Sequence, residues 1–180
     1  MLPFRKIIFP VDYSDACRAI VPHVRHAVGH FSAALTLVHA YGPEGLSFVD
    51  LPISNPDLPN QVREFEQLRL RDFAQEEFPG LKPDCFAELG EAGGVVSNVV
   101  QHQGADLIML PTHGRGPVRR MMLGSVAAKV LHDATCAVWT TAHGAASPQM
   151  GYRSIVCAVD ETPEALSVDR KSTRLNSSHT

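Results

Sequence analysis

Short apolar runs alternate with amphipathic stretches along most of the chain. "KIIFPVD" (6–12) is dense in isoleucine, valine and phenylalanine, as expected of a strand buried on both faces. Ser14 then reads as a helix N-cap with Asp15 in the first turn. Ala19, Ile20, Val24, Ala27 and Val28 recur at helical spacing, with Gly29 as the expected terminator. "ALTLVHA" (34–40) predicts a second strand. Pro43, Pro52, Pro56 and Pro59 then mark a long irregular connection. In 61–78, Val62, Phe65, Leu68 and Phe73 form an apolar stripe, so an amphipathic helix is expected, stopped by Pro79-Gly80. "DCFAEL" (84–89) predicts a third strand, 93–104 a helix closed by Gly104, and 105–111 a fourth strand ended by Pro111. A helix from about Gly124 to His132 and a fifth strand, "CAVWTTA" (136–142), complete the pattern.

Strands alternating with helices imply right-handed crossovers and a parallel sheet covered on both faces. Ligands of such sheets sit beyond the carboxyl ends of the strands, where the strand order reverses. Asp12 closes the first strand, and the segment "LPTHGRGPVRRMMLGSV" (110–126) leaves the fourth. Gly114 and Gly116 let backbone approach a ligand closely, and Arg115 lies between them. Gly124 and Ser125 open a helix whose first N–H groups lack internal partners, a ready anion site. Asp12 is placed to accept hydrogen bonds from a base or a ribose. The alternative is an ordinary glycine-rich loop running into a helix. Arg115, Arg119 and Arg120 either pair with phosphates or form a solvated face.

Gly114, nine residues and Gly124-Ser125 reproduce the last two glycines of G-x2-G-x9-G-[S/T], the nucleotide-binding signature of the universal stress protein family. "KIIFPVDYSDAC", "LTLVHA", "ADLIMLPTHGRG" and "MMLGSVAAKVLHDATCAVWT" also resemble that family, over roughly residues 3 to 142. The resemblance implies an open, doubly wound, Rossmann-like α/β fold with five parallel strands in the order 3-2-1-4-5 and helices on both faces. It implies ATP, with Mg²⁺, as a regulatory or stabilising ligand of a stress-response protein. By family position, Pro10, Val11 and Asp12 border adenine and ribose, and Ala40 lines the adenine pocket. Leu110, Gly114, Gly124, Ser125 and Val126 follow the ribose and phosphates. The chain departs from the motif at its first glycine, which is Pro111 here, a residue with a ring and no N–H. A pocket degraded by Pro111, on a nucleotide-free interaction module, is the alternative expectation. Relatives pair through the last strand, which implies a homodimer through 136–142 or pairing with a second domain.

Other chemistry is sparse. His23, His26 and His30 share a helix face, without a cysteine or aspartate to complete a metal site. Cys17, in a first helical turn, is either an activated thiol or a small buried hydrophobe. No Ser-His-Asp order, HExxH or P-loop GKS/T is present, and no residue is assigned a catalytic role. The net charge of −3 provides no general attraction for nucleic acid or an anionic membrane. No apolar run nears the roughly 20 residues that span a bilayer. Four scattered cysteines suit a reducing, cytoplasmic setting.

The expected domain is 1–143, followed by a linker at 144–151. "YRSIVCAVDETPEA" (152–165) repeats "FRKIIFPVDYSDA" (4–16), so 152–168 reads as the truncated start of a second domain in a tandem protein. "DRKSTRLNSSH" within 169–180 matches the translation of a common sequencing-library adapter and is expected to be an assembly artefact.

Overall fold

The computed structural model describes residues 4–42, 57–112 and 123–141. Its elements are β1 (Lys6–Pro10), α1 (Asp15–Phe31), β2 (Ala34–Tyr41), α2 (Leu58–Glu77), β3 (Asp84–Leu89), α3 (Ala92–Gln103), β4 (Leu107–Pro111), α4 (Ser125–Asp133) and β5 (Ala137–Thr141). All strand pairs are parallel, and the sheet order is β3-β2-β1-β4-β5. This is the expected doubly wound topology, with the order reversing between β1 and β4.

The period of two along a strand sorts the core into two layers. Ile7 and Phe9 of β1 and Leu35 and Leu37 of β2 point towards α1 and α2, where they meet Cys17, Ile20, Val24, Leu70 and Phe73. Ile8 and Val38 point the other way, towards Val96, Val99 and Val100 of α3 and Val130 of α4. Ile7, Ile8 and Phe9 are fully inaccessible, which explains why β1 reads as a continuous apolar run.

Local signals set several boundaries. Ser14 caps α1, its Oγ accepting from the Cys17 N–H at 3.1 Å. Gly104 closes α3 in the left-handed conformation, φ 60°. Gly29 does not terminate α1, which runs on to Phe31 and is capped by Ser32 at φ 52°. The expected face of the second helical pattern is corrected in part. Phe65 and Leu68 are 62% and 59% exposed, whereas Phe73 is buried as expected, together with Leu70 and Ala74.

Cys17 is a buried core residue whose thiol burial pushes up to about 12, so it is no activated nucleophile. His23 packs against Trp139, ring centroids 5.2 Å apart, and burial holds its pKa below the usual histidine value. Trp139 therefore faces α1. Among the described residues, no group of histidine, cysteine and carboxylate side chains could hold a metal, and no helix is long and apolar enough to cross a membrane. The proline-rich stretch 43–56, the glycine-arginine segment 113–122, the linker, the 152–168 repeat and the adapter-like tail lie outside the described residues.

Candidate functional site

Parallel pairing between β1 and β4 is registered at Ile7↔Leu107 and Ile8↔Ile108 and then stops. Its end has a covalent cause. Val11 donates to Val38 of β2 at 2.8 Å, so odd positions of β1 address β2 and even ones address β4. Continuing the seam would need an N–H at Pro10 and the next at Pro111, and proline has none. Two prolines, one from each strand, thus lie where the strand order reverses. The crevice opens there.

A cavity of about 340 Å³ fills that crevice, within the size range of small-molecule sites. Pro10, Val11 and Asp12 line it from the end of β1, and Ala40 from β2. Leu110 of β4, Gly124 before α4, and Ser125 and Val126 at its start complete the wall expected from the sequence. Gly114, Arg115 and Gly116 lie outside the described residues. The lining also includes Val38, His39, Ala92, Val96, Thr112 and Ala127. Thr112 was legible in principle, one residue past the strand end. Ala92 and Val96 were not, because no local pattern shows which residues of α3 pack at this end.

The polar groups are few and directed. Asp12 Oδ1 accepts from the Ser14 N–H at 3.0 Å and from the Ser14 hydroxyl at 2.7 Å, which ties the carboxylate to the turn entering α1. Between them Tyr13 adopts φ 61°, a left-handed conformation costly for a bulky residue. Its ring packs on His39 at 4.6 Å and on Phe73 at 5.6 Å, with the Arg69 guanidinium 4.1 Å above it. His39 Nδ1 lies 2.7 Å from the Val11 carbonyl. Since a carbonyl only accepts, that nitrogen carries the proton. Nε2 stands 3.4 Å from Glu66 of α2. The turn that presents Asp12 is thus held from behind by α2.

The opposite wall is backbone. The Gly124 N–H donates to the Thr112 carbonyl at 2.8 Å, so the donors of the expected anion site begin at Ser125. The Gly124 carbonyl begins α4 by accepting from Ala128 at 2.8 Å. Gly124 has no side chain to cap the helix. The N–H groups of Ser125, Val126 and Ala127 are therefore left without intrahelical acceptors, and all three residues line the cavity. Three such donors at the positive end of a helix suit a phosphate.

A parallel sheet with a cavity at its switch point, walled by an acidic turn and an uncapped helix start, defines the class as a doubly wound α/β protein. The universal stress protein family model matches residues 3–141, and the chain belongs to that family. A universal stress protein encoded in the QAH/OAS sulfhydrylase 3′ region of Thermus aquaticus is 30% identical over 136 residues, 75% of this chain and 96% of the relative. Universal stress protein MJ0577 of Methanocaldococcus jannaschii is 23% identical over 144 residues, 71% of this chain and 88% of its own length. The solved structure of MJ0577 superposes with a TM-score of 0.64 at 20% identity, covering 77% of this chain and 96% of the other. A universal stress protein solved in complex with cAMP superposes at 0.53 and 18% identity, over 78% and 98% of the two chains.

Proposed function

We propose that this chain is a cytoplasmic stress-response protein that binds an adenine nucleotide, ATP with Mg²⁺ in the first instance, as a regulatory or stabilising ligand. What supports the reading most is the convergence of the Asp12 turn and the open start of α4 on one cavity. Val11 and Ala40 offer apolar contact to a base, and Asp12 a carboxylate to ribose hydroxyls. Ser125, Val126 and Ala127 hold the phosphates through their N–H groups, with Gly114, Arg115 and Gly116 of the motif extending that contact. Bound Mg²⁺ would offset charge on the phosphates. No residue is assigned to hydrolysis.

A ligand that binds only the folded state raises stability by about 2.7 kcal/mol at 100 times its dissociation constant. The full chain should melt at least ~5 °C higher in saturating ATP and Mg²⁺. An unchanged melting temperature at millimolar ATP refutes the reading.

Pro111 supports a second reading, a nucleotide-free interaction module with the same fold. Pro111→Gly separates the two. Equal ATP affinity in both proteins sides with nucleotide binding, and affinity gained only by the variant sides with the module. In either reading we assign homodimerisation to the edge of β5, and the 152–168 repeat to the start of a second domain whose last strand would take that place in a tandem protein.

A further inference from the structure

The two ends of the sheet are finished differently. Gly90 donates to the Tyr41 carbonyl at 2.9 Å, so even positions of β3 address β2, while Cys85 and Ala87 turn their backbone groups away from the sheet. Gln67 of α2 meets both. Its Nε2 donates to the Cys85 carbonyl at 2.7 Å, and its Oε1 accepts from the Ala87 N–H at 3.1 Å. One carboxamide thus supplies the donor and the acceptor that another strand would bring. The next outward residue, Pro83, has no N–H, and its carbonyl is approached by the Cys85 thiol at 3.7 Å.

At the other end, Ala137 donates to Asp106, and Thr112 donates to Thr141. Odd positions of β5 therefore address β4, and Val138 and Thr140 point outward. Among the described residues, no side chain hydrogen-bonds the backbone of those two.

We propose that Gln67 limits self-assembly to one edge of the sheet, by mimicking a strand and closing β3 to the β3 of a second copy. The inference rests on the β5 pairing assigned above. The excluded partner is this chain itself because Cys85 and Ala87 are self-complementary across a twofold axis, each supplying an N–H and a C=O. A twofold contact at each of two opposite edges does not close. It extends the sheet copy by copy. A chain that pairs through β5 stays a dimer only if β3 is shut.

The test uses the full chain, light scattering over a concentration series, and exchange of the Ala87 amide. Wild type should stop at the dimer with a protected Ala87 amide. Gln67→Ala should expose that amide about tenfold, in line with losing one hydrogen bond, and should grow beyond the dimer with concentration. Gln67→Leu keeps the volume packed on the strand while removing both hydrogen bonds, and with a native circular dichroism spectrum it should grow in the same way. Gln67→Leu combined with Val138→Pro should stop at a dimer, since the proline removes an outward N–H from β5. A monomeric wild type with a dimeric Gln67→Leu would discard β5 pairing and keep the closure of β3. An unprotected Ala87 amide in wild type, or a folded Gln67→Leu with wild-type mass at every concentration, overturns the proposal.

Discussion

The helices α3 and α4 begin at the same end of the sheet and line the same cavity, yet their first turns are finished in opposite ways. Glu91 closes α3 with an anion of its own, accepting from the N–H groups of Gly93 and Gly94 at 2.9 Å each. Gly124 gives the first turn of α4 no side-chain acceptor. The two starts are also packed together: a Cβ on Gly93 would sit 2.5 Å from Cδ of Lys129 in α4, so glycine there admits the close approach. A helix start has orphan donors whatever its sequence, and the choice lies in who satisfies them. In α3 the protein does. In α4 it supplies no side-chain cap.

Making α4 resemble α3 gives the strongest test of that contrast. Gly124 has φ −63° and ψ 150°, an extended conformation open to any side chain. Gly124→Asp would place a carboxylate where the cap is missing. The ligand-free protein should gain a few tenths of a kcal/mol, the usual difference between an aspartate and a glycine cap. ATP affinity should fall about 100-fold, because a like charge now stands where the phosphates bind. Calorimetry measures the affinity and thermal melts the stability. Unweakened binding would mean that the start of α4 is not the anion site.

A smaller effect isolates a single donor. Ser125 is the first helical residue, the position where proline fits a helix best, and the extended Gly124 before it is the conformation proline requires. Ser125→Pro should leave α4 intact and remove one N–H and one hydroxyl from the cavity. A hydrogen bond to a charged group contributes about 1.5–3 kcal/mol, so binding should weaken at least ~10-fold. Because the triphosphate gathers the charge, adenosine should bind the variant and wild type alike. Equal losses for adenosine and ATP would point to a collapsed pocket instead.

How much of this was legible without coordinates depends on whether the deciding contact is local. The cap at Ser14 and the left-handed stop at Gly104 each rest on a few neighbouring residues, and the linear pattern revealed them. The buried run Ile7-Ile8-Phe9 was equally clear. Gly29 misled because glycine permits a helix end without requiring one. Phe65 and Leu68 misled because a stripe shows that a helix is amphipathic, while the sheet decides which side is covered. The α2 face on the sheet edge includes Gln67, whose role no apolar pattern could reveal. In the site, Asp12 and Ser125 followed from strand ends and a motif. Ala92 and the His39 contact with Val11 needed the tertiary packing first. So did the spent N–H of Gly124, whose acceptor lies beyond the loop.

The smallest expected effect is the converse experiment, opening α3. Hydrogen bonds from Gly93 and Gly94, aided by nearby Lys129, hold the Glu91 carboxyl below the usual glutamate value. Its folded pKa lies below its unfolded one, so the cap's stabilisation is fully present above the unfolded value. It is lost as pH falls through the folded one. Glu91 is exposed, and solvent screening keeps the contribution modest. Glu91→Ala should cost about 0.5–1 kcal/mol at neutral pH, the lower part of the range for lost caps. That difference should shrink in acid, below the ordinary glutamate range, where wild type loses the same interaction. ATP affinity should stay within about twofold of wild type, since the α4 donors are untouched. Urea melts at neutral and acidic pH, paired with one binding curve, measure both quantities. A variant whose stability deficit is the same at every pH would show that Glu91 acts by packing. A variant that loses nucleotide binding as well would show that α3 and α4 share the anion site, and the contrast between their two starts would fall.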